Sequence, residues 1–336
     1  MSAFRRFMSI RRSFVSFIVL SVLFVLSLGS EVVAGNRPLL LSYNGELHFP
    51  IIKFYAGERF GQSQKTEADY RMLRVDQAFQ ESGWAVFPLI PYSPLESDLE
   101  ESGAPPHPPS WRHPLGTDGS GRDVFARLLY GFRICMLFSI ILTVITGVTG
   151  IAMGALQGYA GGRTDLLIQR FTEIWSALPF LYVVILLGSI FGQSFFMLLA
   201  VLSLFSWIGL SLYMRAEFFK IRNMTYVRAA RAVGVSNAGI LFRHILPNAL
   251  TPAITILPFT LISGIGALTS LDFLGFGMPP PTPSWGELLD QGLKNLQAPW
   301  IAVSTVLSLF FTLLMATFIS EGIREAVDPK AKKRSL

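Results

Sequence analysis

The sequence predicts an all-α integral membrane protein, and three observations support this fold class. Hydrophobic residues make up 51% of the 336 residues and charged residues only 15%, whereas soluble proteins usually carry about 25% charged residues. Six apolar stretches are each long enough to cross a bilayer, which requires about 20 mostly apolar residues. These stretches must be helical, because an unpaired backbone amide in lipid costs several kcal/mol.

A long segment separates the first predicted span from the other five. The approximate bounds of the six spans are Phe14–Val33, Ile134–Gln157, Ile174–Gly192, Phe195–Met214, Ala249–Leu271 and Trp300–Ser320. Pro179 and Pro258 are expected to interrupt the third and fifth helices. The first span has an alternative, because basic residues before it and small residues at 32–35 are also typical of a cleavable signal peptide. Its apolar run is longer than a usual signal-peptide core, which favours a retained anchor.

The distribution of cations predicts the orientation in the membrane. Residues 215–243 carry six cations and one acid, whereas the loop between the fifth and sixth spans carries only Lys294 as a cation. Both chain ends are basic as well. Cations in short loops favour the cytoplasm, so we expect both termini on the cytoplasmic side of a bacterial inner membrane. Residues 34–129 then form a small periplasmic insertion, since long loops cross largely regardless of their charge.

This orientation gives a plan for the whole chain. It consists of a cytoplasmic N-terminus at 1–13, the first transmembrane helix at 14–33, the insertion at 34–129, a transmembrane domain at 130–325 with a cytoplasmic loop at 215–248, and a cytoplasmic tail at 326–336. The net charge of +6 could signal nucleic-acid binding. Its cations collect beside apolar spans, however, so we predict contact with a lipid bilayer and no nucleic-acid partner.

The sequence carries no recognisable catalytic motif. It has no GxxxxGK[ST] phosphate loop to cradle nucleotide phosphates, and no HExxH or GxSxG motif. The four histidines lack the spacing of metal ligands, and the single cysteine, Cys135, excludes an intrachain disulfide. We therefore expect no catalysis, no bound metal and no cofactor in this chain.

The loop after the fourth span has an unusual composition. Residues 226–248 read YVRAARAVGVSNAGILFRHILPN; we call them the EAA-like segment. The alanines favour a helix with a small, smooth surface, Gly234 is expected to end that helix, Ser236 to cap the next one, and Pro247 to lie near the start of the fifth span. An arginine-edged helix–turn–helix suits docking into a groove on a cytosolic partner. The alternative is a basic interfacial helix that only orients the protein.

The EAA-like segment resembles the EAA loop of ABC importer permeases, which is written EAA-x3-G-x9-I-x-LP. The matching positions are Ala229, Ala230, Gly234, Leu246 and Pro247. Arg228 replaces the Glu and His244 replaces the Ile. Both departures are similar to the dipeptide and oligopeptide branch of the family, which tends to read RAA-x3-G and RH-x-LPN.

Other stretches extend this resemblance over roughly Trp111 to Pro329. Residues 115–123 read LGTDGSGRD, much like the LGTD-x2-GRD stretch of the same branch, and residues 158–165 read GYAGGRTD. The long insertion, LDFLGFG at 271–277 and NLQAPW at 295–300 are similar to the Yej-type subgroup, whose importers take up peptides and microcin C.

The resemblance implies a type I ABC importer permease fold with about six transmembrane helices. It implies four partners: a second homologous permease subunit, a cytosolic ABC ATPase that binds ATP and Mg, a periplasmic solute-binding protein, and a peptide-like substrate. The residues predicted to couple to the ATPase are Arg228, Ala229, Ala230, Gly234, Arg243, His244, Leu246 and Pro247.

A second group of candidate residues comprises Asp118, Arg122, Asp123 and Asp272. They could gate the periplasmic mouth or contact the binding protein. The alternative for the first three is a turn followed by a helix cap, with Arg122 paired to Asp118.

Two other functions were weighed against the permease. An ion-coupled secondary transporter needs charged residues or broken helices near the middle of the membrane, and the second and fourth spans are free of charge. A membrane enzyme or sensor would need a catalytic set in the insertion, and the sequence there contains none that we recognise.

Overall fold

The computed structural model describes residues 3–63, 65–98 and 103–327. The predicted basic tail therefore lies largely outside the described residues. The described chain forms two compact units. The insertion unit contains residues 22–134 and 280–309, and the helical unit contains residues 3–21, 135–279 and 310–327.

Among the described residues, five helices are long and apolar enough to cross a membrane. They are α1 (Arg11–Leu28), α2 (Val124–Ala160), α5 (Phe195–Arg222), α7 (Leu246–Phe273, continued backwards to Asn237 by a helical turn) and α9 (Pro299–Val327). A short helix, Ala3–Ser9, precedes α1, and another, Ser30–Val33, follows it. Five of the six predicted spans thus contain a long continuous helix, which confirms the hydropathy pattern.

The third predicted span is not a single straight helix. The predicted bounds Ile174–Gly192 take in all of α4 (Phe180–Phe191) but only the end of α3 (Gly162–Ser176), and the two helices are bent by 75° at the intervening residues. Pro179 sits at the break as predicted, because proline lacks the amide that a continuous helix would need. The expectation for Pro258 is wrong: α7 continues through it and through Pro252, as membrane helices often tolerate proline.

The helices α2 and α5 run parallel and in close contact. Gly150, Gly154 and Gly158 on α2 face Leu210, Met214 and Phe218 on α5, in the same order along both helices. A Cβ atom added at Gly154 would lie 2.5 Å from the Cβ of Met214 and 2.6 Å from the carbonyl oxygen of Ser211. Close approach through small residues is the usual way in which membrane helices associate. Because α2 and α5 share a direction, the bent pair α3–α4 must return the chain along the length of the bundle.

The helix α7 runs antiparallel to α2. Gly264 lies next to Ser139 near one end of the pair, and Gly147 contacts Leu257 further along. At the other end of α2, the Tyr159 hydroxyl lies 3.1 Å from Oδ1 of Asn237, just before α7. The succession α2, α3–α4, α5 and α7 therefore alternates in direction, as a multi-span bundle requires.

The start of α1 and the end of α9 lie at the same end of the helical unit as the EAA-like segment. The Arg12 guanidinium pairs with Glu321 at 3.2 Å, and Ser13 packs against Gly322. A cavity of about 700 Å³ is lined by Arg324 of α9 together with Tyr226 and Asn248 of the EAA-like segment, among other residues.

The insertion unit contains a small antiparallel sheet. Its strands are β1 (Leu40–Tyr43), β2 (Glu46–His48) and β3 (Gly83–Val86), in the order β2-β1-β3. Short helices accompany them at Gly57–Phe60 (a 3-10 helix), Tyr70–Val75 and Gln77–Ser82, and α8 spans Trp285–Lys294. The side chains that form the buried core beside the sheet are Leu41, Tyr55, Phe60, Ala68, Tyr70, Leu73 and Phe79. The insertion unit thus combines a little β-structure with a small core.

We predict that the variant Gly154→Leu destabilises the helical unit by about 2 kcal/mol or more, because it forces extra volume into a closed contact. Thermal unfolding of the purified protein in detergent measures the effect. The matched control is Gly266→Leu on α7, where an added Cβ meets nothing within 4 Å. Equal unfolding midpoints for the two variants would contradict the assigned role of the α2–α5 contact.

Candidate functional site

The EAA-like segment begins with a short helix that stops where the sequence predicts. Helix α6 spans Thr225–Ala232, and the Gly234 amide then donates a hydrogen bond to the Arg231 carbonyl at 3.1 Å. Gly234 has φ of +83°, in the left-handed region that favours glycine. The Ser236 hydroxyl accepts a hydrogen bond from the Gly239 amide at 3.2 Å and so caps the next helical turn. The predicted helix end and cap are both confirmed.

Helix α6 presents opposite chemistry on its two faces. Val227 and Ala230 are buried, and Val227 packs into the apolar core that includes residues of α5 and α7. Arg228, Ala229 and Arg231 are exposed. The buried face fixes the helix to the bundle, so the cationic face is held outward on a rigid support.

The second half of the EAA-like segment widens into a π-helical turn at Ile240–Ile245 before α7 begins. The two isoleucines at its ends are fully buried. Pro247 has no amide to donate to the carbonyl of Arg243, which removes one ordinary helical hydrogen bond at this point. The side-chain amide of Asn248 donates to the His244 carbonyl at 2.8 Å. The sequence pattern did not reveal this widened turn.

The eight residues predicted for coupling therefore lie in one contiguous element but differ in exposure. Five of them are exposed, namely Arg228, Ala229, Gly234, Arg243 and Pro247. His244 and Leu246 are half-buried, and Ala230 is buried. Ala230 can therefore support the docking surface but cannot form its outer face.

Asp118 and Arg122, from the second group of candidates, are buried in the insertion unit. Asp118 Oδ1 accepts hydrogen bonds from the amides of Ser120 at 2.8 Å and Arg122 at 3.0 Å, which makes the predicted turn. Its Oδ2 atom lies 2.8 Å from Nε of Arg122 and 3.4 Å from Nε of Arg127. Glu287 of α8 pairs with both arginines. The turn and the first part of α2 are thus joined to α8, which is distant in sequence, by one network of charges in which only Glu287 is partly exposed.

Asp123 begins helix α2 and holds a buried histidine. Its Oδ1 accepts from the Ala126 amide at 2.7 Å, as a helix cap does, and its Oδ2 lies 2.8 Å from Nδ1 of His113. Nε2 of His113 lies 3.2 Å from Oδ2 of Asp98. Asp98 also pairs with Arg71 and with Arg112. The burial of these groups favours the turn-and-cap interpretation over direct contact with a partner.

The imidazole of His113 is poised to carry a proton. Burial alone would lower the pKa of His113, but hydrogen bonds from its ring to Asp123 and Asp98, and their negative charges, outweigh burial and raise it above the ordinary value. A charged imidazolium can donate to both carboxylates, whereas the neutral ring has only one N–H to donate.

Asp272, the remaining candidate, lies at the end of α7 in the helical unit. It is buried, and its Oδ1 accepts a hydrogen bond from the Met278 amide at 2.6 Å. It thereby shapes the turn that follows α7.

A cavity of about 450 Å³ lies in the helical unit between α2, α4, α5 and α7. The described side chains that line it are uncharged; they include the aromatic rings of Phe180 and Phe205 and the hydroxyls of Ser206, Thr260 and Ser263. These residues are not evident from the sequence, because isolated hydroxyls in an apolar helix carry no motif.

Within the described residues, no group of three or more His, Cys, Asp or Glu could hold a metal ion. Neither of the two features built above, the exposed EAA-like segment and the uncharged cavity, contains a nucleophile paired with a base.

Comparison with known proteins identifies the class. The family described as binding-protein-dependent transport system inner membrane component matches residues 150–333. The inner membrane ABC transporter permease protein YejE of Escherichia coli is 46% identical over 324 residues, which cover 96% of this chain and 95% of that protein. The peptidoglycan transport system permease protein YejE of Agrobacterium fabrum is 42% identical, over 97% of this chain and 92% of its own. The oligopeptide transport system permease protein OppC of Haemophilus influenzae is 36% identical, over 72% and 78%.

The fold and these matches define an inner-membrane permease component of the ABC transporter class. The chain belongs to the family of binding-protein-dependent transport system inner membrane components. Its predicted resemblance to the oligopeptide branch and to Yej-type permeases is confirmed.

We predict that stability falls as the pH rises through the raised folded-state pKa of His113. A raised pKa stabilises the folded state fully below the unfolded-state value of about 6.5, and that contribution disappears above the folded-state value. The variant His113→Gln should lose about 3 kcal/mol at low pH, because it leaves the buried carboxylate of Asp123 without its charged partner, and should lose this part of the pH dependence. Unfolding midpoints of both proteins across this pH range measure the difference. Parallel pH profiles would contradict the role of His113.

Proposed function

We propose that this chain is the transmembrane permease subunit of an ATP-driven importer for peptides or peptide-like compounds. The observation that carries the proposal is the EAA-like segment, whose exposed arginines stand on a helix anchored to the bundle by Val227 and Ala230. Such a surface can accept force from a cytosolic partner and pass it to the packed helices. The family to which the chain belongs supports the same role.

The proposed orientation places the EAA-like segment and both chain ends in the cytoplasm and the insertion in the periplasm. The excess of cations in residues 215–243 over acids supports it. The location of Arg12 and Arg324 at the same end of the helical unit as the EAA-like segment is consistent with it.

The proposed assembly contains a second homologous permease subunit, cytosolic ABC ATPases and a periplasmic solute-binding protein. The ATPases bind ATP and Mg, and this chain performs no chemical step. ATP can shift the importer from one conformational state to another only if it binds the two states with different affinity. The EAA-like segment passes that difference to the helices around the uncharged cavity. An ion-coupled mechanism receives no support from that cavity, because its described lining carries no titratable group.

The proposed substrates follow from the same cavity and from the relatives. Hydroxyls and aromatic rings can accompany a peptide backbone without selecting a particular charge. The names of the relatives mention peptidoglycan and oligopeptide transport, so peptidoglycan-derived peptides, ordinary oligopeptides and microcin C are the compounds to test. We propose that Asp118, Arg122 and Asp123 act by shaping the insertion unit and Asp272 by shaping the turn after α7, since all four are buried.

We predict that the tagged chain copurifies with an ABC ATPase, and that uptake of a labelled peptide stops when this ATPase cannot hydrolyse ATP. The physical reason is that the chain itself has no phosphate loop to bind nucleotide. Competition with unlabelled oligopeptide, muropeptide and microcin C ranks the substrates. Uptake that survives loss of the ATPase but collapses with the proton gradient would point to the ion-coupled alternative.

We predict that Gly234→Leu lowers the peptide transported per ATP hydrolysed, while the protein still inserts and assembles. The backbone at Gly234 is left-handed, and a non-glycine residue there costs about 1 kcal/mol or more, which tilts α6 relative to the bundle. Nothing lies within 4 Å of the added Cβ, so the effect is one of backbone conformation. The control is Gly234→Asn, because asparagine tolerates this conformation. Normal transport by the leucine variant would contradict the assignment of Gly234 to the docking site.

A further inference from the structure

We propose that the turn between α2 and α3, residues 158–165, is a second part of the coupling device, and that Asp165 and Arg215 are its positioning pair. This inference rests on the proposed function, because it concerns how movement of the EAA-like segment reaches the cavity. Four sets of contacts support it, all within the helical unit.

The first contact joins the turn directly to the EAA-like segment. The Tyr159 hydroxyl lies 3.2 Å from the carbonyl oxygen of Asn237 and 3.1 Å from its Oδ1. Asn237 is the first residue after the Ser236 cap. Any displacement of the cap therefore acts on the last turn of α2.

The second contact joins the turn to α5. Nη1 of Arg222 donates to the carbonyls of Gly158 and Tyr159, each at 3.0 Å. These carbonyls belong to the last turn of α2, where helical partners are missing and a cation is favourable. Gly161 has φ of +65°, and a Cβ there would lie 2.7 Å from Nη1 of Arg222. Glycine is therefore required both for the backbone conformation and for the approach of the guanidinium group.

The third contact fixes the start of α3. Nε and Nη2 of Arg215 lie 2.5 Å and 2.7 Å from the two carboxylate oxygens of Asp165, a bidentate geometry. Asp165 is 8% exposed, and Arg215 also stacks on the ring of Phe219 at 5.0 Å. A bidentate, partly buried pair of this kind is far more rigid than an exposed ion pair.

The fourth contact carries the connection onward to the cavity. Nε1 of Trp175, near the end of α3, donates to the Leu204 carbonyl at 2.9 Å. Phe180 of α4 then packs edge-on against Phe205 at 5.4 Å, and both rings line the cavity of about 450 Å³. The path from the EAA-like segment through the turn to α3 and α4 is thus a contiguous chain of polar and packing contacts.

The consequence is that the turn ties the start of α3 both to α5 and to the EAA-like segment, in addition to the contacts that α3 and α4 make with α5 farther along. Helix α6 begins three residues after the end of α5. If the Asp165–Arg215 pair is lost, the ATPase can still move α6 and complete its cycle, but the start of α3 no longer follows α5, and less of the movement reaches the cavity wall formed by α4. Asp165 is therefore a positioning residue whose loss separates hydrolysis from transport.

The experiment reconstitutes the complete importer in proteoliposomes and measures peptide transported per ATP hydrolysed. For Asp165→Asn we expect this ratio to fall about fivefold or more, the range of typical coupling energies, while ATP hydrolysis stays within about twofold of the wild type. Asp165→Glu keeps the charge and should restore much of the ratio. The matched control is Glu173→Gln on the same helix, whose pair with Arg170 is exposed at 51% and 67%; it should leave the ratio unchanged.

A second variant guards against misfolding of the first. Tyr159→Phe removes only the exposed hydroxyl that contacts Asn237, and it should lower the same ratio by about twofold or more, the loss of roughly one hydrogen bond. The inference is overturned if Asp165→Asn keeps the wild-type ratio, or if that variant fails to assemble and Tyr159→Phe keeps it. Failure of the wild-type importer to transport at all with ATP would instead overturn the proposed function.

Discussion

The close approach of α2 and α5 is the constraint on which the helical unit depends. Lipid tails are as apolar as leucine, so no hydrophobic force draws two membrane helices together, and their contact relies on tight packing. Gly154 and its neighbours allow the two backbones to meet, and the buried hydrogen bond of 2.9 Å from the Gln157 side chain to the Ser211 hydroxyl lies in the same seam. This contact fixes the two helices as parallel. Because α2 and α5 are parallel, the chain must return through α3 and α4. The EAA-like segment then lies beside the end of α2.

The two ends of the contact between α2 and α5 differ in packing. Near the EAA-like segment, glycines and arginine side chains bring the turn of residues 158–165, α5 and α6 into one tightly connected region. Further along, a cavity of about 450 Å³ with an uncharged lining lies between α2, α4, α5 and α7. A bundle that is tightly packed at one end and open at the other is suited to the proposed switching between a small number of arrangements, because packed interfaces change state rather than deform continuously.

Much of the fold could be predicted from the sequence, and the failures have physical causes. Hydropathy located the long helices because a bilayer demands continuous apolar runs, and the spacing of Gly234 and Ser236 identified a helix end and a cap because few residues suit those positions. Hydropathy did not reveal helix α3, because its charged residues, among them Asp165 and Glu173, lower its hydropathy below that of a membrane span. The buried pairing of Arg127 with Glu287 joins positions 160 apart in sequence, and no local pattern encodes such a contact.

The charge network of the insertion unit has a consequence for the surroundings in which that unit can work. Mobile ions weaken an electrostatic attraction by entering the space around exposed charges. The carboxylates of Asp98, Asp118 and Asp123 are sealed from solvent, so dissolved salt has little access to the attractions that hold this unit together. Its shape should therefore vary little between dilute and saline media, which would suit the periplasmic location proposed for it.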